Sequence, residues 1–291
     1  MICNLCPRKC GALRDETRGE GLCGMPETLY LARAAIHRWE EPPISGTRGA
    51  GTVFFSGCNL GCAYCQNDVI SRQRLGKPVT EKRLREIFQE LIGQGAHNID
   101  LVSPTHYAHI LARVLSEPLS VPVVWNTGGY ERLETLRALE GKVDVYLPDL
   151  KYVDSAPALR YSGAADYPET AKAAIVEMVR QTGPVQLDEN GILQKGVLIR
   201  HLLLPGQLPA AKAVMDWVAE TFRPGEVLFS LMNQYVPLGR AAEYPEINRR
   251  LRKAEARSAA EYMANLGLAG FTQEMGAADA GYVPNFDFSG V

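Results

Sequence analysis

From residue 51 onward, short apolar runs alternate with stretches of helical periodicity. Runs rich in Val, Ile, Leu or Phe at 51–57, 98–103, 121–126, 143–148, 196–204 and 226–232 predict strands, most of them flanked by turn residues. The stretches 80–94, 105–116, 131–140, 168–182, 208–222 and 248–266 predict helices. Thr80 is a fair N-cap, although Arg83 three residues on removes the capping-box pattern. Asp188-Glu189-Asn190-Gly191 reads as a turn, so 185–200 is expected to be a hairpin leading into the fifth strand. Repeated βα units predict an α/β fold, a partial (β/α)6 barrel with a parallel sheet and helices outside. A flat doubly wound sheet is the alternative. Residues 1–50 are punctuated by Gly and Pro and predict little regular structure, which makes them an N-terminal extension to a barrel over 51–275. The tail at 276–291 carries aromatics without a regular pattern; packing over the barrel's open edge and disorder are both open for it.

Ligands of parallel α/β folds gather at the C-terminal ends of strands. Polar or Gly-rich groups fall there repeatedly: Ser103 to His106, Asn126-Thr127-Gly128-Gly129-Tyr130-Glu131, Asp149 with Lys151, Arg200 with His201, and Asn233-Gln234-Tyr235. Any one of them alone could be a cap or a loop hydrogen-bonder. The segment Ile36 to Gly46 contains paired prolines, and His37, Glu40 and Glu41 within it read as residues of a solvated linker, with a polar role in the site as the alternative.

The first predicted strand runs into Gly57-Cys58-Asn59-Leu60-Gly61-Cys62-Ala63-Tyr64-Cys65. Three cysteines on one Gly-rich loop suit an iron–sulfur cluster with one iron left open, because four thiolates complete a 4Fe-4S cube. A zinc site with a distant fourth ligand and three ordinary buried thiols are the alternatives. The remaining four of the seven cysteines, Cys3, Cys6, Cys10 and Cys23, form a second set near the N-terminus. Four thiols there complete a ligand set for structural zinc or for a second cluster that relays electrons, and both stay open. Two tight clusters fit metal ligation in a reducing cytoplasm better than a disulfide framework.

Cys58-x3-Cys62-x2-Cys65, with an aromatic before the last cysteine, resembles the signature of the radical S-adenosylmethionine (SAM) superfamily. The resemblance implies that Cys58, Cys62 and Cys65 hold a 4Fe-4S cluster whose fourth iron is chelated by SAM. It implies further that reduction cleaves SAM to methionine and a 5′-deoxyadenosyl radical. Asn126 to Gly129 resembles the Gly-rich segment that binds the SAM amino group. Asp149-Leu150-Lys151, and the strand from Arg200 to Pro205-Gly206, resemble motifs of glycyl-radical-enzyme activases. Lys151 and Arg200 are thereby expected near the SAM carboxylate and ribose, and Tyr64 against the adenine or as a shield of the cluster. The chain is most similar to the activating-enzyme-like proteins grouped with pyruvate formate-lyase activating enzymes. Glu40 to Gly46, Met232 to Tyr235 and Phe286 to Val291 carry that likeness. Two features depart from true activases. Those lack the N-terminal four-cysteine set, and they carry an Asp of a monovalent-cation site where this chain has Asn126.

The resemblance implies an electron donor such as flavodoxin or ferredoxin. It also implies a glycyl radical enzyme as partner, or another protein, peptide or small-molecule substrate. A two-cluster electron-transfer protein without SAM chemistry is the reading from another class, but it leaves the strand-end groups without a purpose. Composition changes little: 46% hydrophobic and 22% charged residues with a net charge of −2 indicate an ordinary globular chain. No basic run points to nucleic acid, and no long apolar run to a membrane.

Overall fold

The computed structural model describes residues 2–273 and 284–291. All six predicted strands are present: β2 (Ala50–Phe55), β4 (Ile99–Val102), β5 (Val123–Thr127), β6 (Val145–Pro148), β8 (Leu193–Leu202) and β9 (Val227–Met232). Four further strands are β1 (Leu29–His37), β3 (Lys77–Val79), β7 (Gln186–Leu187) and β10 (Gly270–Thr272). The helices are α1 (Pro42–Ser45), α2 (Asp68–Ser71), α3 (Glu81–Gly93), α4 (Ala108–Val114), α5 (Leu133–Ala138), α6 (Ser155–Ser162), α7 (Tyr167–Thr182), α8 (Leu208–Thr221) and α9 (Lys253–Asn265).

The sheet runs β10-β9-β8-β6-β5-β4-β2-β1-β3, and β7 pairs with β8 as the expected hairpin. From β2 to β10 the neighbours are parallel and follow chain order without reversal. A doubly wound sheet reverses its order at a switch point, so the single direction of winding settles the alternative in favour of the open barrel. β2, β4, β5 and β6 are buried along their whole length, as strands covered on both faces must be. α3 buries Leu84, Ile87, Phe88 and Leu91, the spacing of one helical face, and Thr80 accepts from Arg83 N–H at its start.

The expectation of little regular structure before residue 50 is corrected by β1, which pairs antiparallel with β2. Its signal is weak because it is half-buried, Ala-rich and interrupted by a register shift between Leu31 and Arg33. The stretch 274–283, which takes in the start of the predicted tail, lies outside the described residues. Beyond it, Phe288 N–H donates to Ala32 O and Ala34 N–H to Ser289 O, which lays the last residues along β1. Phe286 packs edge-on against Phe54.

Side chains alternate along each strand, and this alternation builds the interior. Trp125 and Ile199 join the large core between sheet and helices. Val124 and Leu198, one residue back, form an inner apolar plug with Val145, Leu147 and Ile44 of α1. One residue onward, Asn126 and Arg200 point inward above that plug and begin a polar layer.

Candidate active site

The cysteine loop leaves β2 with Gly57 at φ +86° and Gly61 at φ +70°. A Cβ at Gly57 would stand 2.2 Å from the Met25 side chain, so close packing on the N-terminal segment demands glycine there. Each thiol has a polar neighbour. Leu60 N–H lies 3.4 Å from Cys58 Sγ, Ser162 Oγ 3.1 Å from Cys62 Sγ and Ser71 Oγ 3.3 Å from Cys65 Sγ. Burial pushes the Cys62 thiol upward and Cys65 up to about 12, while Lys151 acts in the opposite direction on Cys62. All three cysteines line one cavity of about 210 Å³, together with Tyr64, Asn126, Gly128, Asp149, Lys151 and Arg200.

The polar layer below the cysteines is an ion-pair network. Arg200 donates from Nε to Asp149 Oδ1 at 2.9 Å, from Nη1 to Glu40 Oε1 at 2.8 Å and from Nη2 to Asn126 Oδ1 at 2.7 Å. Lys151 Nζ donates to the other Asp149 oxygen at 2.6 Å, and Asn126 Nδ2 to Glu40 Oε2 at 3.1 Å. Burial alone would raise the Asp149 pKa, but Arg200 and Lys151 outweigh it and hold the carboxyl below its ordinary value. Arg200, expected beside SAM, is thus engaged at all three nitrogens by the chain's own groups. The reading of Glu40 and Glu41 as solvated linker residues is corrected: Glu40 is a member of the network, and Glu41 is buried on the cavity wall. Burial pushes Glu41 up to about 7. Asp100, beneath Asn126 and Thr52, is pushed well above its ordinary value by the same cause.

Gly128 faces the cavity, whereas Gly129 sits behind it. Gly129 has φ +78°, and a Cβ there would meet Asp149 O at 2.2 Å. The sequence reading did not include Tyr167. Its hydroxyl accepts from Lys151 N–H at 3.0 Å and lies 2.7 and 2.9 Å from the carbonyls of Asp149 and Gly128, stapling two strand ends together. Tyr64 reaches Tyr152 through a 2.7 Å hydroxyl pair and packs against Tyr161 and Tyr235. Among the described residues no three His, Cys, Asp or Glu side chains converge on a single-ion position, and this holds for both cysteine sets.

Glu131 anchors the Gly-rich segment from behind. Its Oε1 accepts from Thr127 Oγ1 at 2.5 Å, Thr105 Oγ1 at 2.6 Å and Trp125 Nε1 at 3.4 Å. Burial pushes it up to about 7 against these donors. A carboxyl raised in the fold stabilises fully below its unfolded value of 4.5, and that contribution is lost as pH rises to about 7. Glu131→Gln is therefore expected to gain about 2–3 kcal/mol relative to the parent between pH 5 and pH 8. Urea unfolding at the two pH values measures this, and parallel behaviour of the two proteins would show that Glu131 is charged.

The fold and cavity define a class: an open α/β barrel that presents three thiols and a buried cationic pair at the C-terminal ends of its strands. A family model described as the radical SAM superfamily matches residues 52–218. The uncharacterized protein MJ0674 of Methanocaldococcus jannaschii is 30% identical over 270 residues, covering 89% of this chain and 73% of that one. Streptococcus suis SuiB bound to S-adenosylmethionine is similar in fold, with TM-score 0.53 and 16% identity over 75% of this chain and 48% of SuiB. A radical SAM methyltransferase from Sphaerobacter thermophilus gives TM-score 0.50 and 15% identity over 77% of this chain and 66% of that one. This chain spans about half the length of SuiB, and both structural likenesses concern the fold. The chain belongs to the radical SAM superfamily. The family implies SAM and a 4Fe-4S cluster, and three thiols sharing one cavity with a buried lysine and arginine fit that donor chemistry. No helix among the described residues is long and apolar enough to cross a membrane.

Proposed function

We propose that this chain reductively cleaves SAM in the cavity below the cysteine loop and directs hydrogen abstraction from a polypeptide substrate. The observation that carries this reading is the shared wall: Cys58, Cys62 and Cys65 line the same cavity as Gly128, Lys151 and Arg200. When bound, the cluster and SAM supply a 5′-deoxyadenosyl radical; the chain supplies position and exclusion of water. Cys58, Cys62 and Cys65 would ligate the iron of the cluster. Gly128 leaves its backbone bare for close approach of the amino acid moiety, and Lys151 and Arg200 provide fixed positive charge beside it. Tyr64, 6% exposed, closes the site toward the tyrosine cluster.

Activation of a glycyl radical enzyme is the finer reading. It is supported by the likeness of Asp149-Leu150-Lys151 and the Arg200 strand to activases, with flavodoxin or ferredoxin as electron donor in a reducing cytoplasm. Cys3, Cys6, Cys10 and Cys23 are proposed as a second metal set. Burial pushes Cys6 up to about 12, and the nearby thiols of Cys23 and Cys3 add to this, a load that a bound cation would relieve.

The test is anaerobic reconstitution with iron and sulfide, then reduction with SAM present. Wild type is expected to form 5′-deoxyadenosine, and Cys58→Ala to fall to background; retained formation in the variant would sink the reading. Metal content settles the N-terminal set: about four irons and one zinc make it structural, about eight irons a second cluster.

A further inference from the structure

We infer that Arg8 is a positioning residue of the radical site, and that the N-terminal cysteine turn exists in part to hold it there. The inference rests on the proposed role of the Cys58–Cys65 loop. Arg8 lies between Cys6 and Cys10. Its guanidinium makes four hydrogen bonds to backbone carbonyls far away in sequence. Nε donates to Asn59 O at 2.9 Å and Nη2 to Leu60 O at 3.0 Å, both inside the loop between Cys58 and Cys62. Nη2 also donates to Ser162 O at 2.8 Å, and Nη1 to Gly163 O at 2.5 Å. The same group lies 5.3 Å over the Tyr130 ring, next to the Gly-rich segment.

Three parts of the site therefore meet on one cation. Asn59 and Leu60 set the path from Cys58 to Cys62, and Asn59 Nδ2 also donates to Tyr130 O at 2.7 Å. Ser162, whose carbonyl Arg8 holds, places its hydroxyl on Cys62 Sγ. The carbonyls of Ser162 and Gly163 end α6, where orphan acceptors and the helix dipole favour a positive charge. An irregular loop such as 57–63 has few backbone partners of its own, and a planar fork with five donors can satisfy several carbonyls at fixed geometry. Lysine has the charge without the fork.

The turn that carries Arg8 is closed on the main-chain carbonyl of Cys6, whose side chain is buried. Lys9 N–H donates to that oxygen at 3.1 Å, with Lys9 at φ +43°. Arg132 Nη1 donates to Asn4 O and Thr135 Oγ1 to Leu5 O, which pin the approach to the turn without touching the Cys58–Cys65 loop. Displacing Cys6 thus displaces the guanidinium.

Two readouts on the full chain test this. Backbone hydrogen exchange is followed before and after reconstitution with iron and sulfide, and the reduction midpoint of the Cys58–Cys65 cluster is titrated. Arg8→Ala is expected to speed exchange at 59–64 at least tenfold while distant helices stay unchanged, and to make the midpoint more negative through loss of a nearby positive charge. Arg8→Lys is expected to keep the midpoint near wild type while exchange stays fast, a split between charge and geometry that general destabilisation would not produce. Arg85→Ala, which removes a guanidinium from Val114 O and Glu117 and touches neither the turn nor the loop, is the control that leaves 59–64 protected. Cys6→Ser is expected to speed exchange at 59–64 in wild type but to add nothing to Arg8→Ala. Unchanged exchange at 59–64 in both Arg8 variants, or a rise spread evenly over the chain, would overturn the anchor. An unchanged loop in Cys6→Ser would overturn the link to the cysteine turn. The exchange arm on the chain before reconstitution is independent of SAM cleavage, so its failure is distinct from failure of the proposed function.

Discussion

Arg200→Ala is expected to cost about 3–5 kcal/mol at pH 8, the range for removing one partner of a buried ion pair. The guanidinium is the shared donor of Asp149, Glu40 and Asn126, with side-chain exposures of 12%, 15% and 14% for Arg200, Asp149 and Glu40. At these exposures solvent screens little. The sign with pH follows from the buried carboxyls that face Arg200: Asp149, Glu41 and Asp100. In the wild type the folded pKa of Asp149 is depressed, so its contribution is present above the unfolded value and lost as pH falls. Without Arg200, Asp149 keeps only Lys151 against burial, and Glu41 and Asp100 lose the same lowering charge. All three carboxyls shift upward, so the variant recovers as pH falls and they take up protons. The destabilisation should therefore shrink between pH 8 and pH 5. Arg200→Lys should fall between the two, since it restores the charge but not the three-way fork. Urea unfolding at both pH values measures this. A loss below about 1 kcal/mol at pH 8, or a larger loss at pH 5, would contradict the network as described.

Gly129→Ala and Gly128→Ala are expected to separate folding from binding. At Gly129 the backbone is left-handed, and the new methyl would stand 2.2 Å from Asp149 O and 3.1 Å from the Tyr167 hydroxyl. Asp149 cannot yield easily, because its N–H is held by Thr127 O and the next amide by Arg200 O. Strain and displacement together should cost about 3–5 kcal/mol. At Gly128 the nearest atoms are side-chain carbons, Leu60 Cδ2 at 3.5 Å and Lys151 Cε at 3.7 Å, which is ordinary contact. That variant should fold within about 0.5 kcal/mol of wild type. Its methyl occupies the cavity wall, so SAM affinity by calorimetry should drop about tenfold or more, the cost of a single misplaced group in a close-packed site. Equal stability of the two variants would remove the distinction drawn between the two glycines.

The central strands were legible because burial on both faces writes them as continuous apolar runs, as in Val53-Phe54-Phe55. The cysteine loop was legible because ligand spacing is local. Glu40 and Glu41 were not. Paired prolines beside them look like a linker, and their reason for burial, Arg200, is 160 residues away from Glu40. Tyr167 was missed for a related cause: at the start of a helix, a polar residue looks the same whether it meets solvent or a distant carbonyl. Arg8 carried no periodicity at all, and its position between two cysteines drew attention to the thiols instead. β1 was missed because a half-exposed strand with Arg33 and several alanines lacks a clean alternation.

The long reach of the Glu40–Arg200 pair also bears on the order in which the molecule is made. The segment after β1 and the inner residues of β8 meet across the barrel, so their contact closes a loop of 160 residues. Such closures come late, after local βα units have formed. A nascent chain that has emerged only through β6 already holds all seven cysteines, yet it lacks Arg200 and hence the floor of the cavity. Iron can meet thiols at that stage, but the pocket for the co-substrate is finished only when β8 docks. Synthesis itself therefore separates the arrival of the metal ligands from the appearance of a site able to use them.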